Sequence, residues 1–386
     1  MTEQSFLIYS ILLFTMTICG VISSMRVNSK ALFLTTTTKS SFWSVEIIIP
    51  IALFSILFGM RYDVGVDHLS YLNSYVQIDI PEKIEPLFAQ ITHLCTQMGF
   101  HFSVYFGLLA FIQIFFFYYA FNEEKYLYPY LAFILIANME WMFWMNVIRQ
   151  AIAMCIWIYS LKFIEHKKLF LYLFWGIIAY LFHRSAFILF FFYPLLRNGK
   201  DYFRSTSLQL ILFASTFILR QFFEILINRM TVLVDFYISL IGTDIYENSY
   251  NIEELQESFR LQTGTGLAAI FRIFVNIIII LYSKKMKLFY NSNRFTIIYF
   301  FYFFSVITLY IFPAGYISFT RPFRFFYIFQ SIMIAYYLFF LYKNKTLQNI
   351  TIYWGLIFVF FGILYLKIYT AGNDESFLYQ FFFQAN

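Results

Sequence analysis

Apolar runs long enough to cross a bilayer recur from one end of this chain to the other, and nothing else in it limits the fold so tightly. A spanning helix needs about 20 apolar residues. In hydrocarbon, every backbone amide and carbonyl must also find its partner within the protein. Charged residues are 12% of the 386 and hydrophobic ones 61%, whereas soluble domains carry about 25% charge. An all-α, polytopic integral membrane protein is therefore expected. The 55 Phe suit a lipid-facing surface, but 32 Tyr call for interfacial rings or a polar cavity where phenols find partners. Cys19, Cys95 and Cys155 are odd in number and lack C-x-x-C spacing, so neither a disulfide framework nor a thiolate metal site is expected.

The positive-inside rule orders the runs. Phe6–Ile22 follows Met-Thr-Glu-Gln and precedes Arg26, Lys30 and Lys39, so it reads as a retained helix with its N-terminus outside. The next spans expected are Phe42–Phe58, Phe102–Phe121, Tyr128–Trp144 and Val147–Ile164, the last ending at Lys162, His166, Lys167 and Lys168 on the inner side. Leu169–Leu196 lies between two basic segments and is expected to be a hairpin of two short helices with His183-Arg184-Ser185 at its tip. A single tilted span is the alternative. Ser207–Ile227, Gly266–Tyr282, Phe295–Phe312, Pro322–Tyr342 and Ile350–Tyr369 follow. The expectation is about twelve spans in one transmembrane domain, 1–386, with both termini outside. The formal charge of +6 then falls mostly on inner loops and is not a nucleic-acid signal. External loops are expected near 60–101 and 243–264, the second carrying Asp244, Glu247, Glu253, Glu254 and Glu257. Pro86–Met98 is too short and polar to span, and is expected to be an interfacial or re-entrant helix with Pro86 at its first position.

With this sidedness, the ionisable groups gather in the outer half of the membrane. Such groups are costly there unless paired or facing water, and mark functional sites by default. Arg61-Tyr62-Asp63-Val64-Gly65-Val66-Asp67-His68-Leu69-Ser70-Tyr71 is the densest stretch, with Glu85 close behind. Gly65 should break the helix and Asp67 cap a new short one. Tyr71 and Tyr75 would then follow on one face, an arrangement suited to binding sugar hydroxyls and activating one of them, for which the plain alternative is a capped interfacial helix with surface salt bridges. A second group is Arg149-Gln150, for which the plain alternative is an arginine reaching up to headgroups. A third is His183-Arg184. The fourth is Arg321 and Arg324, which share a face by i, i+3 spacing and could clamp a diphosphate bidentately or merely anchor to headgroups. There is no Walker A sequence, no H-E-x-x-H and no H-x-E…C-x-x-C. His68, His93, His101, His166 and His183 are too dispersed to imply a metal site, and Asp63 and Asp67 do not form D-x-D. A lipid-linked diphosphate donor on the outer leaflet suits several arginines better than a cytosolic nucleotide.

The stretch Gly59 to Tyr71 resembles the signature of the EpsG-type polysaccharide polymerases, a group that includes many Wzy O-antigen polymerases, whose first outer loop reads R-x-x-x-G-x-D-x-x-x-Y. Glu85-Pro86-Leu87-Phe88 is similar to that family's E-x-G/P-hydrophobic element. Ile148-Arg149-Gln150-x-x-Ala153 resembles its iRQ-x-x-A helix start, and Phe182-His183-Arg184-Ser185-Ala186 its fH-x-S-a motif. Arg321 onward is similar to its late R…y element. Many relatives carry Tyr where this chain has His68. The ordered motifs cover 51–195.

The resemblance implies a multi-pass protein of the bacterial inner membrane, with its active site facing the periplasm or exterior. A growing chain on undecaprenyl diphosphate would be transferred to the non-reducing-end sugar of a new lipid-linked repeat unit, making O-antigen or another exported polysaccharide, without metal, nucleotide or other cofactor. Asp67 or Glu85 would deprotonate the acceptor, with His183 a further candidate catalytic group. Arg61, Tyr71, Arg149, Gln150, Arg184, Arg321 and Arg324 would bind diphosphate or sugar. The expected partners are the lipid-linked oligosaccharide, the growing glycan, membrane lipid and a chain-length regulator protein, with no nucleic acid. The main rival is a flippase or transporter of lipid-linked oligosaccharide, which would need its polar groups spread along a two-sided path rather than at one side. A membrane acyltransferase modifying surface glycan is a third reading, and His166 lacks the constellation it would need.

Overall fold

A computed structural model describes residues 2–33, 42–78, 84–222, 266–312, 321–371 and 377–384, with backbone alone for 27–33. Fifteen helices are described: α1 (Thr2–Phe33), α2 (Val45–Gly59), α3 (His68–Val76), α4 (Pro86–Gln97), α5 (Phe102–Ala120), α6 (Tyr128–Ala137), α7 (Glu140–Asn146), α8 (Ile148–Glu165), α9 (Leu169–Phe182), α10 (Phe192–Leu196), α11 (Thr206–Gln221), α12 (Leu267–Tyr290), α13 (Asn293–Ile311), α14 (Arg324–Lys343) and α15 (Leu347–Thr370). Short 3-10 segments cover Asn122–Leu127, Arg184–Phe191, Arg321–Phe323 and Phe382–Gln384. The described residues form no strand. By length and composition, six helices among them can cross a membrane: α1, α5, α12, α13, α14 with its preceding turn, and α15. The chain is thus an all-α, multi-pass membrane protein. The expected loop 243–264 lies outside the described residues.

One expectation needs correction. Tyr128–Trp144 is not one span. The helix stops at Ala137, Met139 turns through the left-handed region (φ 60°), and α7 begins at Glu140. The break is satisfied locally, because the Trp141 indole N–H donates to the Ile136 carbonyl at 3.2 Å. The two short helical segments expected within 169–196 are present, with the break at His183. After α9 the chain leaves helical geometry at His183, then runs as an eight-residue 3-10 segment into the five-residue α10. Elsewhere the local chemistry matches the reading: α4 begins with Pro86 at its first position, and α3 begins directly after Asp67.

Two compact units make up the chain, one of Met1–Lys162, Phe170–His183 and Ile334–Asn386, the other of Phe163–Leu169 and Arg184–Met333. In the first, α1 runs antiparallel to α6 and α7. A Cβ on Gly20 would lie 2.7 Å from the Pro129 backbone, and further along Tyr9 meets Trp141 at 4.5 Å. α2 runs antiparallel to α5, with Gly59 facing Ser103 and Gly107 and Phe42 meeting Tyr119 at 4.9 Å. α6 is buried on every side, and most of α8 is too. At one end of this unit Arg26 pairs with Glu46 at 2.6 Å, and at the other α2 releases the chain into Arg61.

In the second unit, Phe192 sits among Phe300, Phe301, Phe304 and Phe326. The abundant phenols there find partners: Tyr302 donates to Asn276 Oδ1 at 3.1 Å and Tyr299 to Gln209 Oε1 at 2.5 Å. Lys287, near the end of α12, is paired with Asp201 at 2.9 Å.

The α2–α5 crossing depends on the absence of side chains. A Cβ on Gly59 would lie 2.4 Å from the Ser103 carbonyl oxygen, and small residues at such crossings let membrane helices approach closely. Gly59→Ala is expected to destabilise by about 1–3 kcal/mol. Gly362→Ala, in α15 with nothing near its added methyl, should stabilise by up to about 1 kcal/mol through helix propensity. Thermal unfolding of the detergent-solubilised pair measures both signs.

Candidate active site

α2 delivers Arg61 into the interior rather than to the surface. Its side chain is 1% exposed. Nη2 donates to the Met145 carbonyl at 3.1 Å and Nε to His68 Nδ1 at 3.2 Å. The guanidinium also lies over the rings of Phe58 (5.6 Å) and Phe106 (5.7 Å). Among the described residues no carboxylate pairs with it. Arg61, expected to bind diphosphate or sugar, is thus packed against backbone, the His68 ring and two phenyl faces.

The loop after Arg61 turns through Asp63 (φ 50°) and Gly65 (φ 95°). At Gly65 both conformation and space exclude a side chain, since a Cβ would lie 2.6 Å from Asn146 Oδ1. The loop therefore presses on the junction between α7 and α8, where Arg61 takes its carbonyl. Gln113 of α5, also buried, donates to the Trp144 and Ile148 carbonyls around the same junction. Asp67 occupies the N-cap position of α3 without its side chain making a capping hydrogen bond, and it is half-buried.

Because His68 Nδ1 accepts from Arg61, the neutral ring carries its proton on Nε2. That atom is buried with no hydrogen-bond partner. Burial, with the Arg61 charge adding to it, pushes the imidazole down to about 3.

Arg149, in the first turn of α8, is where the motifs converge. It is ion-paired through Nη1 to Glu85 Oε2, its Nε points to the Tyr71 hydroxyl at 3.5 Å, and its guanidinium lies 5.7 Å over the Phe88 ring. Tyr71 and Phe88 meet edge to face at 5.9 Å. Glu85 is nearly buried, while 18% of the Arg149 side chain remains exposed. Three sequence motifs, some 60–80 residues apart at their extremes, thus close into one carboxylate–guanidinium–phenol cluster. Gln150 beside it is buried.

The remaining candidates sit on other elements. His183 ends α9 in the first unit, buried, with its amide bonded to the Ala179 carbonyl at 3.0 Å. Arg184, Arg321 and Arg324 belong to the second unit, where the segments Arg184–Phe191 and Arg321–Phe323 pack on each other. All three arginines are partly exposed and make interactions of their own.

One element had no place in the sequence reading. Residues 377–384 form a strap over the start of the Arg61 loop. Tyr379 donates its hydroxyl to the Leu57 carbonyl (2.6 Å) and its amide to Ser5 Oγ (2.7 Å). The Phe382 amide donates to the Met60 carbonyl and the Tyr62 amide to the Gln380 carbonyl, each at 2.9 Å, making an isolated antiparallel bridge between Arg61 and Phe381. Tyr9 donates to the Phe377 carbonyl at 2.7 Å. The available signal was the aromatic density of Phe377, Tyr379 and Phe381–Phe383 in what otherwise reads as a polar tail; Asp374 and Glu375 lie outside the described residues.

Two measurements follow from this geometry. His68 is held below its free value of about 6.5, so the unfolded chain binds the extra proton first. This part of the stability is intact above about pH 6.5 and is lost as pH falls toward 3. His68→Asn keeps a neutral acceptor for Arg61 without a titrating ring, and should flatten that part of the plot of unfolding midpoint against pH. For the strap, a chain ending at Ala371 should become cleavable by trypsin after Arg61 in limited proteolysis, while the full chain resists there.

Residues 45–381 match the EpsG family. No curated protein and no solved structure matches the chain. The family match begins with the first residue of α2 and ends within the strap, so it takes in both arginine clusters and the elements that hold them. The chain belongs to the EpsG family.

Proposed function

We propose that this EpsG family member polymerises a lipid-linked glycan at the outer face of the bacterial cytoplasmic membrane, transferring a growing chain from undecaprenyl diphosphate onto the non-reducing-end sugar of a lipid-linked repeat unit. Family membership supports polysaccharide polymerisation in general. The observation that carries the finer reading is the cluster of Tyr71, Glu85 and Arg149. In the transfer, the acceptor hydroxyl oxygen bonds to the anomeric carbon as the bond from that carbon to the diphosphate breaks. The hydroxyl proton passes to a carboxylate, and the electron pair of the broken bond leaves with the diphosphate. Glu85 and the uncapping carboxylate of Asp67 are the candidate bases. Arg149 holds Glu85 at rest and meets the diphosphate when substrate enters, the kind of preorganised charge stabilisation that usually contributes most to catalysis.

Tyr71 and Gln150 are assigned to sugar hydroxyls, and His183 to proton transfer. Arg184, Arg321 and Arg324 are assigned to diphosphate oxygens, where a fork of N–H donors binds bidentately. Arg61 acts indirectly, by fixing the backbone that leads into Arg149. The proposal involves no metal or nucleotide, and a chain-length regulator protein is its expected partner.

Complementation of a deletion strain tests it. The deletion should leave single-repeat glycan caps in place of a ladder on a gel; loss of the caps as well would favour a flippase. Glu85→Gln and Arg149→Lys, each restored to that strain, should lower long-chain product on the order of a hundredfold, the second because charge survives while fork geometry does not. Wild-type ladders from both variants would overturn the assignment of the cluster.

A further inference from the structure

Within the first unit, α1, α6, the end of α14 and α15 enclose a cavity of about 370 Å³, within the size range of ligand pockets. It lies at the opposite end of the unit from Arg149. The close approach of Gly20 to Pro129 is at the cavity end of the α1–α6 pair, and Tyr9 against Trp141 is at the other. The lining runs along α1 from Thr17 to Met25, about 12 Å at 1.5 Å per residue.

Its chemistry changes along that length. Thr17, Phe133 and Ile357 line the deep part, while Tyr126 and Lys343 line the outer part, where helices begin and end. Tyr130, Tyr342 and Tyr353 form a ring cluster in its wall, with centroids 6.1–6.5 Å apart. Such amphipathic rings are characteristic of headgroup level. Lys343 is exposed, as are Lys345 beyond it and Arg26. Of the acids on neighbouring elements, Glu124 accepts from the hydroxyls of Tyr126 (3.2 Å) and Tyr336 (2.6 Å), Glu46 is paired with Arg26, and Glu123 is exposed. On α15, which supplies one wall, Trp354 is 61% and Phe358 77% exposed, so this wall itself stands in lipid.

We propose that the cavity holds one acyl chain of an anionic glycerophospholipid from the surrounding bilayer, with its phosphate at Lys343. Basic side chains at a membrane surface attract anionic lipid, and the apolar depth below the tyrosine cluster takes the chain. The inference uses no residue of the Arg149 cluster and stands or falls separately from the polymerase reading.

The test is native mass spectrometry of the delipidated full chain, titrated separately with phosphatidylglycerol, phosphatidylcholine and an isoprenyl phosphate. One phosphatidylglycerol per chain should be retained in preference to the other two. Lys343→Gln should weaken it about fivefold, and Val21→Trp, which fills the cavity, should remove it. Circular dichroism checks folding, and if Val21→Trp unfolds, the exposed Lys343→Gln decides. Equal retention of phosphatidylcholine, preferential retention of isoprenyl phosphate, or stepwise lipid adducts unchanged by Lys343→Gln would each overturn the proposal.

Discussion

A buried guanidinium to which no carboxylate among the described residues is paired organises the Arg61 end of the first unit. Removing a charge from water is expensive unless hydrogen bonds and polarisable surroundings replace the solvent. At Arg61 those replacements come from four separate places: the Met145 carbonyl, the His68 imidazole, and the faces of Phe58 and Phe106. Each contributor is constrained in return. His68 must stay neutral and offer Nδ1 as acceptor, which leaves Nε2–H buried without a partner. The Met145 carbonyl must be turned away from helical bonding, which the junction between α7 and α8 allows. Phe58 and Phe106 must keep α2 and α5 close, which Gly59 and Gly107 permit. Leaving a buried group without its hydrogen-bond partner costs about 1–3 kcal/mol, and more when the group is charged, so each of these features supports the others.

The same arrangement explains why two arginines 88 positions apart are placed differently. Arg61 is consumed by the fold. By holding the carbonyl of Met145 it fixes the backbone entering α8, and Arg149 follows within one turn. Arg149 is then presented to Tyr71 and Glu85 with part of its side chain still open. The loop from Arg61 to Asp67 controls both, because Gly65 rests on Asn146 while α3, starting after Asp67, carries Tyr71 to the guanidinium. A motif that reads in sequence as one polar patch is in space a buried anchor followed by a presented hydroxyl.

Much of this was legible in the sequence. Hydropathy marked the apolar helices, Pro86 the start of α4, Asp67 the start of α3, and the motifs around Arg61, Glu85 and Arg149 do meet. What was not legible has physical reasons. The break at Met139 escapes a hydropathy reading because 128–144 stays apolar on balance despite Asn138 and Glu140, and the Ile136 carbonyl takes the Met139 amide and an indole five residues on, bonds with no composition of their own. The burial of Arg61 is not legible either, because neighbouring phenylalanines and a histidine make an interior for a charge that ordinarily seeks the surface. Sidedness grouped Arg184, Arg321 and Arg324 with the others. Sidedness gives depth in a membrane and not which helices pack together, so it does not show that these three fall in the second compact unit.

The strap shows why the anchor can lie so deep. The last carbonyls of any helix lack intrahelical donors and ordinarily take water. At the end of α2 they cannot, because the interior that buries Arg61 also closes over Leu57, Phe58 and Gly59. The Tyr379 hydroxyl supplies the donor for Leu57, and the Phe382 amide supplies it for Met60. The strap is held in turn by Ser5 and Tyr9 of α1. Segments from opposite ends of the sequence therefore stand in for the solvent that α2 has lost. Without those donors, the helix end would have to open to water, and the guanidinium four residues beyond Leu57 would lose the dry setting in which its weak contacts suffice.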